Sequence, residues 1–168
     1  MTSLFRFPNP VNEVSARLVA GGVALIGLVC LGLRVPWLMP VLAVGFLLRV
    51  ASGPRFDPLG LLVTRVIVPR LPLAERPTPG PPKRFAQSIG AFVTISATAL
   101  YYGADFAIGA YGLIVVLVLF ATLESTLGLC VGCKMFALLM RLGVIPDSVC
   151  EECNDLSLRW RRLEAAQG

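Results

Sequence analysis

Four long apolar blocks most constrain how this chain can fold. They occupy about residues 14–33, 37–50, 85–102 and 106–127. A helix needs roughly 20 apolar residues to cross a bilayer. Only 15% of the chain is charged, against roughly 25% in soluble domains. The pattern therefore predicts an all-α fold, an integral membrane bundle of four transmembrane helices.

The second block, residues 37–50, is shorter than a full span, and its length also suits a re-entrant segment. We interpret it as a short or tilted span, because the turn at residues 34–36 leaves room only for an antiparallel neighbour. Arg49, near the end of this block, is expected to extend its charged group to the membrane interface.

Two further features lie between the second and third spans. Residues 59–71 combine Leu, Ile and Val with Arg65 and Arg70, which predicts an in-plane amphipathic helix. Prolines then crowd residues 69–84, and this composition predicts an extended linker. We therefore divide the chain into a transmembrane bundle, residues 1–128, and a tail, residues 129–168.

The distribution of Lys and Arg predicts the orientation of the bundle. With four spans, only Arg34 of the 15 Lys and Arg residues faces the opposite side from the others. Basic residues concentrate on the cytoplasmic side of membrane proteins. We expect a multi-pass protein of the cell (inner or plasma) membrane with both termini cytoplasmic. Its first partner is the lipid bilayer, and we expect no nucleic-acid partner. The first fifteen residues lack the pattern of a cleaved signal peptide.

Two Cys-x-x-Cys pairs follow the last apolar block. Cys130 and Cys133 form the first pair, Cys150 and Cys153 form the second, and sixteen residues separate them. We expect the tail that carries them to be helical and cytoplasmic, with one helix over about residues 134–142. Thiols in the cytosol are normally kept reduced, which disfavours permanent disulfides.

The spacing of the two pairs suits a metal site with four cysteine ligands, because it falls within the zinc-ribbon pattern. The chain contains no histidine, so zinc would be held by the thiolates of Cys130, Cys133, Cys150 and Cys153. An iron–sulfur cluster uses the same ligands and is the less favoured cofactor. Such a site predicts a non-enzymatic anchor or partner for a soluble thioredoxin-like or sulfur-transfer protein, although enzymatic activity stays open.

A thiol–disulfide or sulfur relay is the alternative interpretation. Cys130 and Cys133 precede a predicted helix whose N-terminus favours thiolate, and Lys134 adds positive charge. Cys150 and Cys153 flank two glutamates, which disfavour thiolate, so they would form the resolving pair. No catalytic residue is assigned unless this relay operates, in which case the four cysteines carry it.

A small-solute transporter is the third interpretation, but the spans lack the paired charges that mark a substrate path. Glu124 lies close to the end of the fourth span. We interpret it as structural, because a nearby Lys or Arg would pair with it. The absence of histidine also excludes Ser-His-Asp and Cys-His mechanisms.

Several short motifs occur in order along nearly the whole chain: Asn9-Pro10-Val11-Asn12-Glu13, Gly53-Pro54-Arg55, Asp57-Pro58, Pro82-Lys83-Arg84-Phe85-Ala86, Leu123-Glu124 and the two cysteine pairs. With these motifs the chain resembles a bacterial family of small membrane proteins known as domain of unknown function 4395. The resemblance implies a multi-span membrane protein and supplies no activity. It hints at a setting in sulfur and thioredoxin-type metabolism.

Overall fold

The computed structural model describes residues 11–71, 77–146 and 149–150. The helices in this part of the chain are α1 (Glu13–Gly32), α2 (Leu38–Ser52), α3 (Pro58–Leu62), α4 (Gly80–Tyr102), α5 (Ala107–Leu127) and α6 (Val131–Arg141). A two-residue antiparallel contact joins β1 (Val11–Asn12) to β2 (Pro77–Thr78), with Val11 opposite Thr78. The predicted all-α fold class is confirmed.

Three helical segments are long and apolar enough to cross a membrane: α1, the stretch Leu38–Arg70 that contains α2 and α3, and α5. Helix α4 has 23 residues and is close to α1 and α5 in length, but it is more polar. Many large apolar side chains point outward from the helices, among them Leu25, Ile108 and Leu119. Soluble proteins rarely expose so much apolar surface.

The helices pack against one another in pairs, and the core lies between these pairs. Helix α1 lies along α5, α2 lies along α4, and α4 also contacts α5 and α6. Met39, Ile114 and Thr94 are fully buried between them. Gly90 of α4 lies directly against the ring of Phe46. Small residues at such contacts let helices approach closely, and van der Waals packing then supplies the stabilisation in lipid.

The prediction that Arg49 extends to the interface is wrong. Arg49 is buried, and its guanidinium lies 4.3 Å from the centre of the Phe46 ring. Its Nε donates to the Gly45 carbonyl and lies 3.6 Å from Asp57 Oδ2. Asp57 also caps α3 by accepting a hydrogen bond from the Gly60 N–H at 2.7 Å. The chain turns back after α2 and so brings a carboxylate to the arginine.

The predicted in-plane helix over residues 59–71 is a series of short helical turns. Helix α3 continues into a π-helical turn, Val63–Ile67, and a 3-10 turn, Val68–Arg70. The linker was predicted to extend through residue 84. It ends earlier, because α4 begins at Gly80 and has prolines in its first turn. Proline is tolerated there, since the N–H groups of a first turn have no intrahelical acceptor.

The C-terminal end of α5 is closed by a residue from α1. The Arg17 guanidinium donates to the carbonyls of Thr126 at 2.7 Å and Ser125 at 3.3 Å. Gly128 then adopts a left-handed conformation, with φ 68°, and its N–H donates to the Glu124 carbonyl. Glycine adopts this conformation without steric cost. The turn sends the chain directly into α6, next to the end of the bundle.

Candidate functional site

Cys130 is the N-cap residue of α6. Its Sγ accepts a hydrogen bond from the Cys133 N–H at 3.4 Å. The helix was predicted to begin near residue 134, but it begins at Val131, so both cysteines belong to its first turn. The Cys130 and Cys133 sulfurs are 2.6 Å apart, and neither cysteine is disulfide-bonded. The Cys133 thiol donates a hydrogen bond to Cys130 Sγ.

Gly132, one of the two residues between the cysteines, allows α6 to lie close against α4. A Cβ on Gly132 would lie 2.6 Å from Ala86 Cβ and 2.7 Å from Ala86 Cα. Gly132 belongs to the first turn of α6. In the structure it is helical, and its lack of a side chain allows the first turn of α6 to touch α4. This contact positions the two sulfurs beside the bundle.

A buried ion pair lies close to the sulfurs. Lys83 Nζ, from α4, is 2.6 Å from Glu124 Oε1, from α5, and the two side chains are only 10% and 17% exposed. The carboxylate of Glu124 compensates the charge of Lys83 at this buried position. The prediction that Glu124 is paired with a basic residue is confirmed.

The two thiols differ in acidity. A hydrogen bond from the Cys133 thiol lowers the pKa of Cys130, and the charge of Lys83 and the Cys133 N–H act in the same direction, while burial and the charge of Glu124 oppose them. The same hydrogen bond, together with burial, raises the pKa of Cys133 far above its usual value. Cys130 is therefore the more acidic of the two thiols.

A cavity of about 80 Å³ lies next to this dithiol. Residues from α1, α2, α4 and α5 line it, together with Cys130 and the start of α6, and most of the lining is apolar. Gln87 is one of the few polar lining residues. Its Oε1 is buried and has no hydrogen-bond partner among the described residues. Most of the cavity wall is thus apolar, and Cys130 is one of its lining residues.

The second cysteine pair is described only in part. Cys150 is buried beside Phe136 and Met140 of α6, and it is disulfide-bonded. Cys153 and the rest of the predicted tail, residues 151–168, lie outside the described residues. Over the described ranges, no group of three or more Cys, Asp or Glu side chains comes together as a metal site. The four-cysteine metal site stays a prediction.

Sequence reasoning found the reactive pair but missed two residues beside it. Lys134 was expected to supply positive charge, yet it is exposed on α6, and Lys83 is the cation that acts on both sulfurs. A signal was present, because residues 83 and 87 are four apart and so share one face of α4. The partner of Lys83, Glu124, lies 41 residues further along the chain, where no local pattern reaches.

Fold and site together define a class: a helical protein with three helices suited to a membrane and a Cys-x-x-Cys dithiol at the start of a further helix. The family described as a domain of unknown function, DUF4395, matches residues 11–141. The chain belongs to this family, as its motifs predicted. Neither a curated protein nor a solved structure matches the chain.

Proposed function

We propose that this protein is a multi-pass membrane protein that exchanges thiols and disulfides through Cys130 and Cys133. The observation that carries the proposal is the 2.6 Å separation of the two sulfurs at the start of α6, with neither in a disulfide. A thiolate at a helix N-terminus is stabilised by the helix dipole and by a nearby cation. Lys83 is that cation.

The exchange would proceed in two steps with balanced electrons. The Cys130 thiolate attacks one sulfur of a disulfide on a partner, a mixed disulfide forms, and the partner's other sulfur leaves as a thiolate. Cys133 then loses its proton and attacks Cys130 Sγ, which releases the reduced partner. The dithiol has given up an electron pair and become a disulfide. The reverse sequence oxidises a partner's dithiol.

Lys83 supports the first step, because its charge favours the negative charge of the attacking sulfur, whereas the charge of Glu124 opposes it. The ion pair with Glu124 fixes the lysine in place. The Lys83–Glu124 pair also joins α4 to α5 beneath α6. We assign both as positioning residues for the dithiol.

We propose that α4 is the fourth span, which makes the bundle a four-span structure with both termini cytoplasmic. Its length and its packing between α2 and α5 support this arrangement. The dithiol then faces the cytosol, where a soluble thioredoxin-like protein is a suitable exchange partner.

A trapping experiment tests the function. In Cys133→Ala, the mixed disulfide formed by Cys130 cannot be resolved, so a covalent complex with a soluble thioredoxin-like protein should accumulate. Cys130→Ala should trap nothing, and Cys30→Ala should behave like the natural sequence because Cys30 is fully buried in α1. If Cys133→Ala and Cys130→Ala give the same absence of adducts, the dithiol function is wrong.

A further inference from the structure

A second and larger hollow, an apolar groove, is formed by residues of α1, α2 and α3. Its volume is about 620 Å³, which lies within the roughly 300–1,000 Å³ usual for ligand pockets. Val41, Val44 and Leu62 line the groove, and each of these side chains is about half exposed. The groove is therefore open on one side to the surroundings of the helices, which for a membrane bundle are lipids.

The length and the lining of the groove suit an acyl chain. Its α2 side runs from Pro40 to Arg49, which at 1.5 Å per residue is about 13 Å. Half of the roughly 30 Å hydrocarbon core of a bilayer, the depth that one leaflet fills, is close to this length. Apart from Arg49 and Asp57, every lining residue is glycine, proline or aliphatic. A flexible apolar chain therefore fits, whereas a polar ligand would find few partners.

The two charged lining residues supply a polar end. Arg49 Nε donates to the Gly45 carbonyl, and its two terminal nitrogens donate no hydrogen bond within the described part of the chain. A Cβ on Gly45 would lie 3.4 Å from Arg49 Nη2 and 3.1 Å from Asp57 Oδ1. Because Gly45 lines the groove and has no side chain, these polar atoms border the groove there. Guanidinium N–H groups are suitable donors for ester and phosphate oxygens.

The chain beside this polar end is basic. Arg55 and Arg65 are exposed, and they lie just before and just after the lining residues 57–62. Asp57 is the only acidic residue of the sequence between residues 50 and 71, and it is buried against Arg49. Exposed arginines without acidic neighbours attract anionic headgroups at a membrane surface.

We propose that the groove binds one acyl chain of an anionic phospholipid. The ester end of the lipid lies beside Arg49, and its headgroup lies against the basic residues that flank positions 57–62. The chain fills the space where α2 and α3 approach α1, so the bound lipid stabilises the arrangement of these three helices. This site is independent of the dithiol, and its test involves no thiol chemistry.

The experiment uses the full chain purified in detergent. The probes are dioleoyl phosphatidylglycerol, which is anionic, and dioleoyl phosphatidylcholine, which is zwitterionic and has the same acyl chains. Native mass spectrometry should show one phosphatidylglycerol retained per chain in preference to phosphatidylcholine. Arg65→Gln should reduce this preference roughly fivefold, as expected for one basic residue near an anionic headgroup. Arg34→Gln, an exposed arginine after α1 that does not border the groove, should leave the preference unchanged.

A second pair of variants tests the groove itself. Val44→Trp fills the groove and should lower the retention of phosphatidylglycerol roughly tenfold or more, because the contacts of several CH₂ groups are lost. Val115→Trp is the matched control, since Val115 is similarly exposed but lies on α5 outside the groove, and it should retain the lipid. Thermal unfolding without added lipid shows that both variants are folded.

Three outcomes would overturn the proposal. Equal retention of the two lipids by the natural sequence would show that the lipid only solvates the helices. Equal loss in Val44→Trp and Val115→Trp would show that the groove is not the site. A dimer that forms without lipid and separates in Val44→Trp would show that a second copy of the chain occupies the groove.

Discussion

Lys83 Nζ and Glu124 Oε1 are 2.6 Å apart across the contact between α4 and α5, and this buried pair acts electrostatically on both sulfurs of the first cysteine pair. The two residues are 41 positions apart in the chain. The acidity of Cys130 therefore depends on how two helices pack, in addition to its own position at the start of α6.

Removal of the lysine should change both reactivity and stability. Lys83→Met leaves the Glu124 carboxylate buried without its partner, which costs up to about 3 kcal/mol for a largely buried pair. It also removes a positive charge that lowers the pKa of Cys130, so that pKa should rise. Thermal unfolding in detergent and the pH dependence of Cys130 alkylation measure the two effects. Lys134→Met is the matched control, because Lys134 is exposed and should change neither.

The alkylation rates of the two cysteines should depend differently on pH. Cys130 has a pKa below the usual thiol value of 9.0, and Cys133 has one above it. Since only the thiolate reacts, the rate at Cys130 should reach half its maximum below pH 9, while Cys133 stays slow there. Iodoacetamide labelling with peptide mapping measures both rates. Cys133→Ala removes the thiol hydrogen bond, so the half-maximum for Cys130 should move to higher pH. A profile that is unchanged in this variant would contradict the assignment.

The contact between α6 and α4 should not tolerate a side chain at residue 132. Gly132→Ala places a methyl group 2.7 Å from Ala86 Cα, which is backbone and cannot move aside. Overpacking of this kind costs about 1–3 kcal/mol, so α6 should separate from α4 and Cys130 should titrate like an ordinary thiol. Gly112→Ala provides the control, because its new methyl group meets no atom within 4 Å. Thermal unfolding of both variants would show whether the steric contact decides the outcome.

Asp57 has two roles that substitution can separate. Asp57→Asn keeps a side-chain oxygen to cap α3 but leaves the buried Arg49 without its counter-charge. Asp57→Ala removes both interactions and should be less stable than Asp57→Asn by about 1 kcal/mol, the usual contribution of an N-cap. Chemical or thermal unfolding in detergent gives the difference. Equal stability of the two variants would show that the cap contributes nothing.

Metal content distinguishes the dithiol from the four-cysteine site. If Cys130 and Cys133 act as a dithiol, protein purified without chelator should contain no zinc or iron in proportion to the chain, and both thiols should react. One zinc per chain, with both of these thiols unreactive until a chelator removes the metal, would instead support the metal-organised anchor. Elemental analysis combined with thiol titration makes the comparison.

Much of the fold could be predicted because apolar periodicity and block length are local properties. The first span, predicted over residues 14–33, agrees with α1, Glu13–Gly32. The fourth, predicted over residues 106–127, agrees with α5, Ala107–Leu127. The start of α4 was placed too late, because the prolines of the linker also fit the first turn of a helix. Where α4 begins among these prolines depends on how the helices of the whole bundle pack.

The candidate site was predictable only where its residues are neighbours in sequence. The spacing of Cys130 and Cys133 indicated reactive or metal-binding thiols. The sequence could not predict that Lys83 pairs with Glu124 or that Arg49 pairs with Asp57, because each pair depends on which helices pack together. Arg49 was assigned to the interface, since an isolated arginine in an apolar block is costly unless it extends to water. The bend after α2 provides a carboxylate instead.

The closure of α5 by Arg17 has a consequence for how the protein matures. Arg17 is among the first described residues, and the carbonyls that it binds lie just before the cysteines. The turn that leads into α6 is therefore completed only when the first and last helices of the bundle have met. A newly made chain would carry two ordinary thiols, and Cys130 would become acidic only after the helices have assembled. The dithiol would thus become reactive only in the fully assembled protein.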